Sequence, residues 1–189
     1  MTISVTHYAD VRVTGDGVPQ IAGTLVTRLH GFMVSRGVRV AVAFPKYKSG
    51  DHPRIGETIR FFGEHQVLNS LLDDLDGDER ERWMCGRVKE TPDYETMSAY
   101  LHRALPRRPG QKTRSTESAM RRRDHMLNEM QAWPFFFVRS RSGDMQFPFT
   151  VEKRMVKAES MNGDGDGLRT LPNAYGFSTS TRIVPVPEF

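Results

Sequence analysis

Cysteine is scarce and long apolar runs are missing in this sequence of 189 residues, which contains a single cysteine, Cys85. One cysteine excludes an internal disulfide and a cysteine-rich zinc site. No apolar run reaches the roughly 18 residues of a membrane-spanning helix, and the first ten residues lack the charged start and apolar core of a signal peptide. We therefore expect a cytoplasmic protein in a reducing environment, with no membrane contact.

Several catalytic and metal-binding motifs are missing as well. The chain has no phosphate-binding glycine loop followed by Lys-Ser or Lys-Thr, no His-Glu-x-x-His and no Gly-x-Ser-x-Gly, and its six histidines do not cluster at ligand spacing. Residues 162–167 mimic the first half of a calcium loop, but Asn173 stands at the twelfth position and Pro172 prevents a following helix. We therefore predict neither a metal nor a cofactor.

Charge is unevenly distributed along the chain. The sequence has 27 Lys+Arg against 23 Asp+Glu, and 21 of the 27 cations are arginine. Residues 51–100 hold 6 basic and 12 acidic residues, a net charge of −6, whereas residues 103–154 hold 12 and 5, a net charge of +7. Because guanidinium groups make forked contacts with phosphates, the arginine excess indicates a polyanionic partner.

The hydrophobic pattern of the first half predicts the element order β-α-β-β-α-β over residues 3–90. Alternating or apolar runs predict strands at 4–13, 38–44, 57–62 and 83–89, and helical spacing predicts helices from Ile21 to Met33 and over 67–75. This is the order of the ferredoxin-like fold, in which two helices cover one face of an antiparallel sheet. We predict an α+β protein with a ferredoxin-like domain at residues 1–93.

The second half predicts a C-terminal domain at residues 94–189. It contains a candidate strand at 94–103, a basic linker at 105–116, and a helix that Ser115 or Thr116 caps and that ends near Ala132. Residues 135–140 and 145–154 predict an antiparallel hairpin, and 175–178 and 182–186 short extended pieces. We therefore expect an arginine-rich helix beside short antiparallel strands.

The predicted helix of the second half is the main candidate for nucleic-acid contact. Its residues Arg121, Arg122 and Arg123 span about 200° around the axis, so they cannot all be buried. A solvated face with Asp124 and Glu129 as partners would explain a triple arginine alone, but the surrounding cations favour contact with an RNA or DNA backbone. The basic residues of the linker are Arg107, Arg108 and Lys112. Arg114, Ser118 and His125 share the helix face of Arg121.

Two further places could take part in a site. Arg139, Ser140 and Arg141 lie at a hairpin mouth, where they could bind phosphate oxygens or a ribose hydroxyl, although an ordinary polar hairpin explains them equally well. Phe147 either belongs to the core or stacks on a base. His30 lies at the edge of a buried helix stripe, where a histidine is usually structural, and it gains a catalytic role only if a hydroxyl and a basic groove converge on it.

Several short segments, in the same order over nearly the whole chain, resemble the CRISPR-associated repeat endoribonucleases of type I-F (Csy or Ypest) systems. The segments are 7–13, Arg28-Leu29-His30-Gly31-Phe32, 40–45, Met120-Arg121-Arg122-Arg123-Asp124, 138–143, Tyr175-Gly176-Phe177-Ser178 and 184–189. The resemblance implies a protein that binds the repeat stem-loop of the CRISPR transcript, cuts at the 3′ base of the stem without a metal, and stays bound to the mature guide RNA. It implies attack by a 2′-hydroxyl, with a 2′,3′-cyclic phosphate product.

The resemblance also implies partners and residue roles. His30 falls on the catalytic histidine that accepts the proton of the 2′-hydroxyl, Ser140 on the serine that holds this hydroxyl, and Tyr175 on the tyrosine that orients the histidine. A neutral imidazole is a suitable base near pH 7. The implied partners are the crRNA stem-loop and the backbone, large and small subunits of the surveillance complex, and a transposition adaptor is a further candidate.

RNA contacts follow from the same resemblance. Phe147 falls on the aromatic residue that stacks against the terminal base pair, and Arg121 and Arg122 fit the helix that enters the major groove. Arg123 stands where a histidine is expected. Arg103 is the candidate that reads base pairs next to the cut, and Arg107 and Arg108 are its alternatives.

Two other functions remain open. The chain could be a non-catalytic RNA-binding subunit of the same particle, although the joint presence of His30, Ser140 and Tyr175 favours the nuclease. It could also be a DNA-binding or accessory ferredoxin-like protein unrelated to CRISPR, which a preference for hairpin RNA over duplex DNA would exclude.

Overall fold

A computed structural model of the chain describes residues 3–76, 82–104, 116–139, 145–156 and 171–189. Over these residues the protein is a mixed α/β structure with antiparallel sheets and three helices. The predicted basic linker, the turn of the predicted hairpin and the calcium-like segment 162–167 lie outside the described residues. The same is true of the candidate site residues Arg107, Arg108, Lys112, Arg114, Ser140 and Arg141.

The N-terminal half forms the first sheet and two helices, in the predicted order. Its elements are β1 (His7–Val13), α1 (Val18–Arg36), β2 (Ala41–Ala43), β3 (Thr58–Gly63), α2 (His65–Leu75), β4 (Trp83–Cys85) and β5 (Lys89–Glu90). Neighbouring strands follow the order β2-β3-β1-β4, and β5 also pairs with β1. Each of these ladders is antiparallel.

Two strands differ most from the predictions, because their backbone groups bond to other partners. The predicted strand 38–44 shrinks to β2, since the N–H groups of Val38 and Val40 donate to the backbone oxygen and the sulfur of Met33 as the chain leaves α1. The predicted fourth strand divides into β4 and β5 at Gly86. A Cβ at Gly86 would lie 2.9 Å from the oxygen of Asp10, which already accepts a hydrogen bond from the Gly86 N–H.

The second sheet comes from the C-terminal half. Its strands β6 (Thr96–Arg103), β7 (Phe135–Arg139), β8 (Gln146–Val156) and β9 (Val186–Glu188) lie in the antiparallel order β7-β8-β6-β9, and α3 (Thr116–Met130) precedes β7. Burial alternates along β7, where Phe136 and Val138 are buried and Phe135 and Phe137 are exposed. This period of two places one face of β7 in the core.

Helix α1 runs along the outer edge of β7 and joins the two halves. A Cβ added to Gly23 would lie 1.8 Å from the backbone oxygen of Phe137, so only glycine allows this approach. One helical turn further on, the Arg139 N–H donates to Thr27 Oγ1 at 3.3 Å. The helix therefore covers a strand edge that would otherwise expose unpaired backbone groups.

A single core of buried side chains runs through both halves. Phe44, which follows β2, contacts the rings of Tyr100, Phe136 and Phe177 at centroid distances of 5.7, 6.2 and 5.9 Å. These shared contacts join the N-terminal half to the C-terminal sheet. The predicted division into domains at residues 93 and 94 stays a prediction.

Candidate active site at the junction of the two halves

His30 and Tyr175 meet where α1 faces the C-terminal segment. Their rings stack with centroids 4.4 Å apart and planes inclined by 22°, and both side chains are half-buried. His30 Nδ1 lies 2.6 Å from the backbone oxygen of Ala174. A carbonyl oxygen can only accept a hydrogen bond, so Nδ1 is the donor. The neutral ring therefore keeps its lone pair on Nε2, where a proton can be accepted.

Helical spacing explains why His30 reaches this junction. It is one position beyond Leu29, which is fully buried, and it therefore lies at the margin of the buried stripe of α1, as the sequence predicts. The helix ends six residues later, because Gly37 adopts a left-handed conformation with φ of +65°.

The segment that carries Tyr175 packs against β2. Gly176 has φ of +87°, and a Cβ there would lie 2.6 Å from Val42 Cγ2 and 2.9 Å from the backbone oxygen of Val40. The Gly176 oxygen accepts a hydrogen bond from the Val42 N–H at 2.9 Å. Only glycine combines this backbone conformation with this close approach. The position of Tyr175 is thus set by a strand of the N-terminal half.

Aromatic side chains of β8 support Tyr175 on its other side. The ring of Phe149 lies 5.5 Å from the Tyr175 ring, and that of Phe147 lies 6.3 Å away. Burial raises the pKa of the Tyr175 hydroxyl, so Tyr175 is a neutral phenol at physiological pH. Phe149 is fully buried, whereas Phe147 is half-buried.

His102 is a neighbour of the site that the sequence pattern did not reveal. Its ring stacks on Phe149 with a centroid distance of 3.8 Å and an interplanar angle of 9°. Burial lowers the pKa of His102 to about 4, so the ring is neutral near pH 7. The stacking depends on the pairing of β6 with β8, which the sequence pattern does not show.

Asn173 is a second residue that the sequence pattern did not single out as part of a site. Its side-chain oxygen accepts hydrogen bonds from the N–H groups of Tyr175, at 2.9 Å, and Phe177, at 3.0 Å. An asparagine shortly before a glycine is a common signal for such a turn. The signal shows a turn but not that the turn meets His30.

Helix α3 is exposed to solvent, and none of its described side chains, from Glu117 to Met130, is buried. Ser118, Arg121, Arg122 and His125 are exposed, as expected for the cationic face, whereas Arg123 is half-buried. Arg121 pairs with Glu117 at 2.6 Å and His125 with Glu129 at 3.6 Å. An exposed Arg–Glu pair such as Arg121–Glu117 contributes only about 0.3–0.5 kcal/mol, so a phosphate can readily displace the carboxylate.

Arg103 is held within the protein. Its Nε lies 3.0 Å from Glu152 Oε2, and its guanidinium carbon lies 5.5 Å from the Trp133 ring centre. The side chain is 17% exposed. Arg103 would have to leave this carboxylate to contact a base, so its assignment as the base-reading residue stays a prediction.

Arg139 brings the hairpin mouth to α1. Its side chain is exposed and its N–H contacts Thr27, which precedes His30 by three residues, a rise of about 4.5 Å along the helix. Ser140 and Arg141 follow directly in the sequence but lie outside the described residues. The end of β7 is therefore next to the turn of α1 that carries His30.

Neither a metal cluster nor a membrane helix is found in the described part of the chain. Over these residues no group of three or more His, Cys, Asp or Glu side chains is placed to hold a metal ion. No helix in the same ranges has the length and apolar character needed to cross a membrane.

A comparison with models of known protein families gives a match. The model of a family described as CRISPR-associated protein (Cas_Csy4) matches residues 8–189. No curated protein matches the chain.

Proposed function

Because the chain belongs to the Cas_Csy4 family of CRISPR-associated endoribonucleases, which process CRISPR repeat RNA, we propose that it cuts precursor crRNA by a metal-independent reaction at the 3′ base of the repeat stem-loop. The geometry of His30 carries this proposal. Its Nδ1 donates to Ala174 and its ring rests on Tyr175, which leaves Nε2 as a proton acceptor. The predicted catalytic histidine and tyrosine thus meet although they are distant in the sequence.

The reaction begins with removal of a proton from the 2′-hydroxyl by His30 Nε2. The 2′-oxygen then attacks the adjacent phosphorus, and the bond from phosphorus to the 5′-oxygen of the next nucleotide breaks. The products are a 2′,3′-cyclic phosphate and a 5′-hydroxyl, whose oxygen takes up a proton. A positioned proton acceptor contributes about 10²–10⁴-fold to such a rate.

Ser140 and Tyr175 orient the reacting groups in this proposal. Ser140 holds the 2′-hydroxyl, and support for this role comes from the end of β7 at Arg139, which is fastened to α1 at Thr27. Tyr175 restricts rotation of the His30 ring by stacking on it. Because both residues act through position, they lower the entropy cost of bringing the hydroxyl, base and phosphate together.

RNA binding is assigned to the exposed side of α3 and to the aromatic side chain beside the site. Arg121, Arg122 and His125 project into solvent on α3 and contact the phosphates of the stem, where its groove is open near a helix end. Phe147 stacks on the terminal base pair, a role supported by its position 6.3 Å from Tyr175. This arrangement sets the end of the stem against the catalytic residues.

The proposal includes a layout and a set of partners. The strand order β2-β3-β1-β4 supports a ferredoxin-like domain at residues 1–93, with an RNA-binding domain at 94–189. The protein is cytoplasmic and stays bound to its product RNA. Together, the protein and RNA join the backbone, large and small subunits of a surveillance complex or bind a transposition adaptor.

A repeat RNA with one 2′-deoxy nucleotide before the cut tests the reaction directly. We expect wild-type protein to cleave the all-ribose hairpin in EDTA and to leave the deoxy-substituted hairpin intact while binding both equally. Mass spectrometry of the 5′ fragment should show the cyclic phosphate. Unchanged cleavage of the deoxy substrate would exclude 2′-hydroxyl attack, and hairpin binding by wild-type protein without cleavage would favour a non-catalytic subunit.

His30→Ala tests the base. We expect it to lower single-turnover cleavage by at least about 10²-fold with little change in hairpin affinity. His65→Ala is the matched control, because His65 is an exposed histidine on α2. Parallel loss of binding and cleavage in His30→Ala would show instead that His30 is structural.

A further inference from the structure

We infer that Asn173 is a positioning residue for His30, an inference that rests on the proposed function. The two contacts that orient the imidazole come from the two residues directly after Asn173. Ala174 supplies the oxygen at Nδ1, and Tyr175 supplies the stacked ring. Asn173 holds the turn from which both groups reach the histidine.

Asn173 makes four hydrogen bonds within five residues. Its side-chain oxygen accepts from the N–H groups of Tyr175 and Phe177, its own N–H donates to the Phe177 oxygen at 2.8 Å, and its backbone oxygen accepts from the Gly176 N–H at 3.0 Å. Two of these bonds need the side chain, and both run to the segment that carries the tyrosine. Removing the side-chain oxygen therefore deprives two backbone donors of their acceptor.

The other side of the turn is already fastened to the core. The Gly176 oxygen accepts a hydrogen bond from Val42, and Phe177 is buried among the aromatic side chains. Ala174, in contrast, is exposed. The direction of the Ala174 carbonyl thus depends on the bonds at the Asn173 side of the turn.

The direction of this carbonyl decides which nitrogen of His30 carries the proton. With Ala174 as acceptor, the neutral ring is protonated on Nδ1 and accepts a proton on Nε2. If the carbonyl turns away, the ring is no longer held in this tautomer, and a ring protonated on Nε2 cannot take the 2′-hydroxyl proton. Asn173 acts on catalysis through this choice, without touching the RNA itself.

Two variants separate the acceptor from other properties of the side chain. Asn173→Ala removes the acceptor oxygen, whereas Asn173→Asp keeps an oxygen at the same branch of the side chain. Asn69→Ala is the matched control, because Asn69 is an exposed asparagine on α2. The measurements are single-turnover cleavage of a repeat hairpin, hairpin affinity, and the imidazole ¹⁵N chemical shifts of His30 in RNA-free protein.

For Asn173→Ala we expect cleavage to fall about 10²-fold, hairpin affinity to stay within about twofold, and His30 to lose its predominant Nδ1–H signature. Asn173→Asp should recover most of the cleavage rate and the Nδ1–H signature, and Asn69→Ala should behave as wild type. An unchanged His30 spectrum in Asn173→Ala would overturn the inference. So would a loss of hairpin affinity as large as the loss of cleavage, or a failure of Asn173→Asp to recover.

The ¹⁵N measurement also separates this inference from the proposed function. It needs neither RNA nor cleavage, so it reports the placement of His30 even if wild-type protein binds the hairpin without cutting it. Hairpin binding without cleavage would contradict the proposed nuclease activity. The comparison of the His30 tautomer in Asn173→Ala and wild type would still decide the role of Asn173.

Discussion

Replacing Gly23 by alanine tests how the two halves are joined and what that junction does for catalysis. An alanine Cβ would lie 1.8 Å from the Phe137 oxygen, while real Cβ atoms essentially never come closer than 3.0 Å. Helix α1 and β7 would therefore have to separate by at least 1.2 Å, the difference of these two distances. Both partners are backbone, so no side chain can rotate away to relieve the overlap.

The expected stability change combines two opposing effects. Alanine favours a helix interior by about 1 kcal/mol over glycine. Overpacking typically costs about 1–3 kcal/mol and more where the backbone must move. Because the backbone must move here, we expect a cost of about 3 kcal/mol against a gain of about 1 kcal/mol, which gives a net destabilisation of about 2 kcal/mol and a fall in Tm of about 4–8 °C for a chain of this size. Gly31→Ala is the matched control on the same helix, because nothing lies within 4 Å of its added Cβ; it should stabilise the protein.

Cleavage provides the second measurement on Gly23→Ala. His30 is on α1 and the proposed Ser140 follows β7, so a displacement of more than 1 Å between these elements should lower single-turnover cleavage by about 10²-fold. Chemical denaturation and hairpin cleavage should be measured on the same preparation. A variant as stable as Gly31→Ala, with an unchanged cleavage rate, would refute the described contact between Gly23 and Phe137.

The remaining predictions concern acid stability and RNA affinity. The folded pKa of His102, about 4, lies below its ordinary value of 6.5, so the unfolded chain binds more protons and stability falls as pH decreases from about 6.5 towards 4. Through this linkage the loss of stability between pH 7 and pH 5 is on the order of 2 kcal/mol. His102→Phe, which keeps an aromatic ring for stacking, should remove most of this loss in urea denaturation at the two pH values. An unchanged pH dependence in His102→Phe would show that other groups cause it. Arg121→Ala and Arg122→Ala should each weaken hairpin binding and reduce the slope of log affinity against log salt by about 1, because fewer counterions are released. Arg36→Ala, at an exposed arginine on α1, should leave the slope unchanged, and an unchanged slope in the α3 variants would contradict their phosphate contacts.

Much of the fold was predictable because its signals are local. The apolar stripe from Ile21 to Met33 predicts the course of α1, and the left-handed Gly37 ends it. The leucine spacing in 68–75 predicts the course of α2. In β7, by contrast, residues 135–138 are all apolar, so the sequence does not show that Phe136 and Val138 are buried while Phe135 and Phe137 are exposed. Strand lengths were less predictable, because the backbone groups near Val38 and Gly86 bond to partners that only the folded chain supplies.

The candidate site was predictable only through residue identity and resemblance. Periodicity places His30 at the margin of a buried stripe, and composition marks α3 as an exposed basic helix. Neither observation brings Tyr175 to His30. The intramolecular pairing of Arg103 with Glu152 could not be predicted either, because the two residues become neighbours through the pairing of β6 with β8.

The amino-acid sequence by itself determined the order of helices and strands, the exposed cationic helix and the residue types available for catalysis, because these depend on neighbours within a few positions. The tertiary structure alone decided which of those residues meet. The Ala174 carbonyl reaches Nδ1 of His30 only because the turn held by Asn173 is anchored on β2 through Gly176. Contacts between such distant parts of a chain are selected by the packing of the whole core, where Gly23 and Gly176 leave room for backbones to approach.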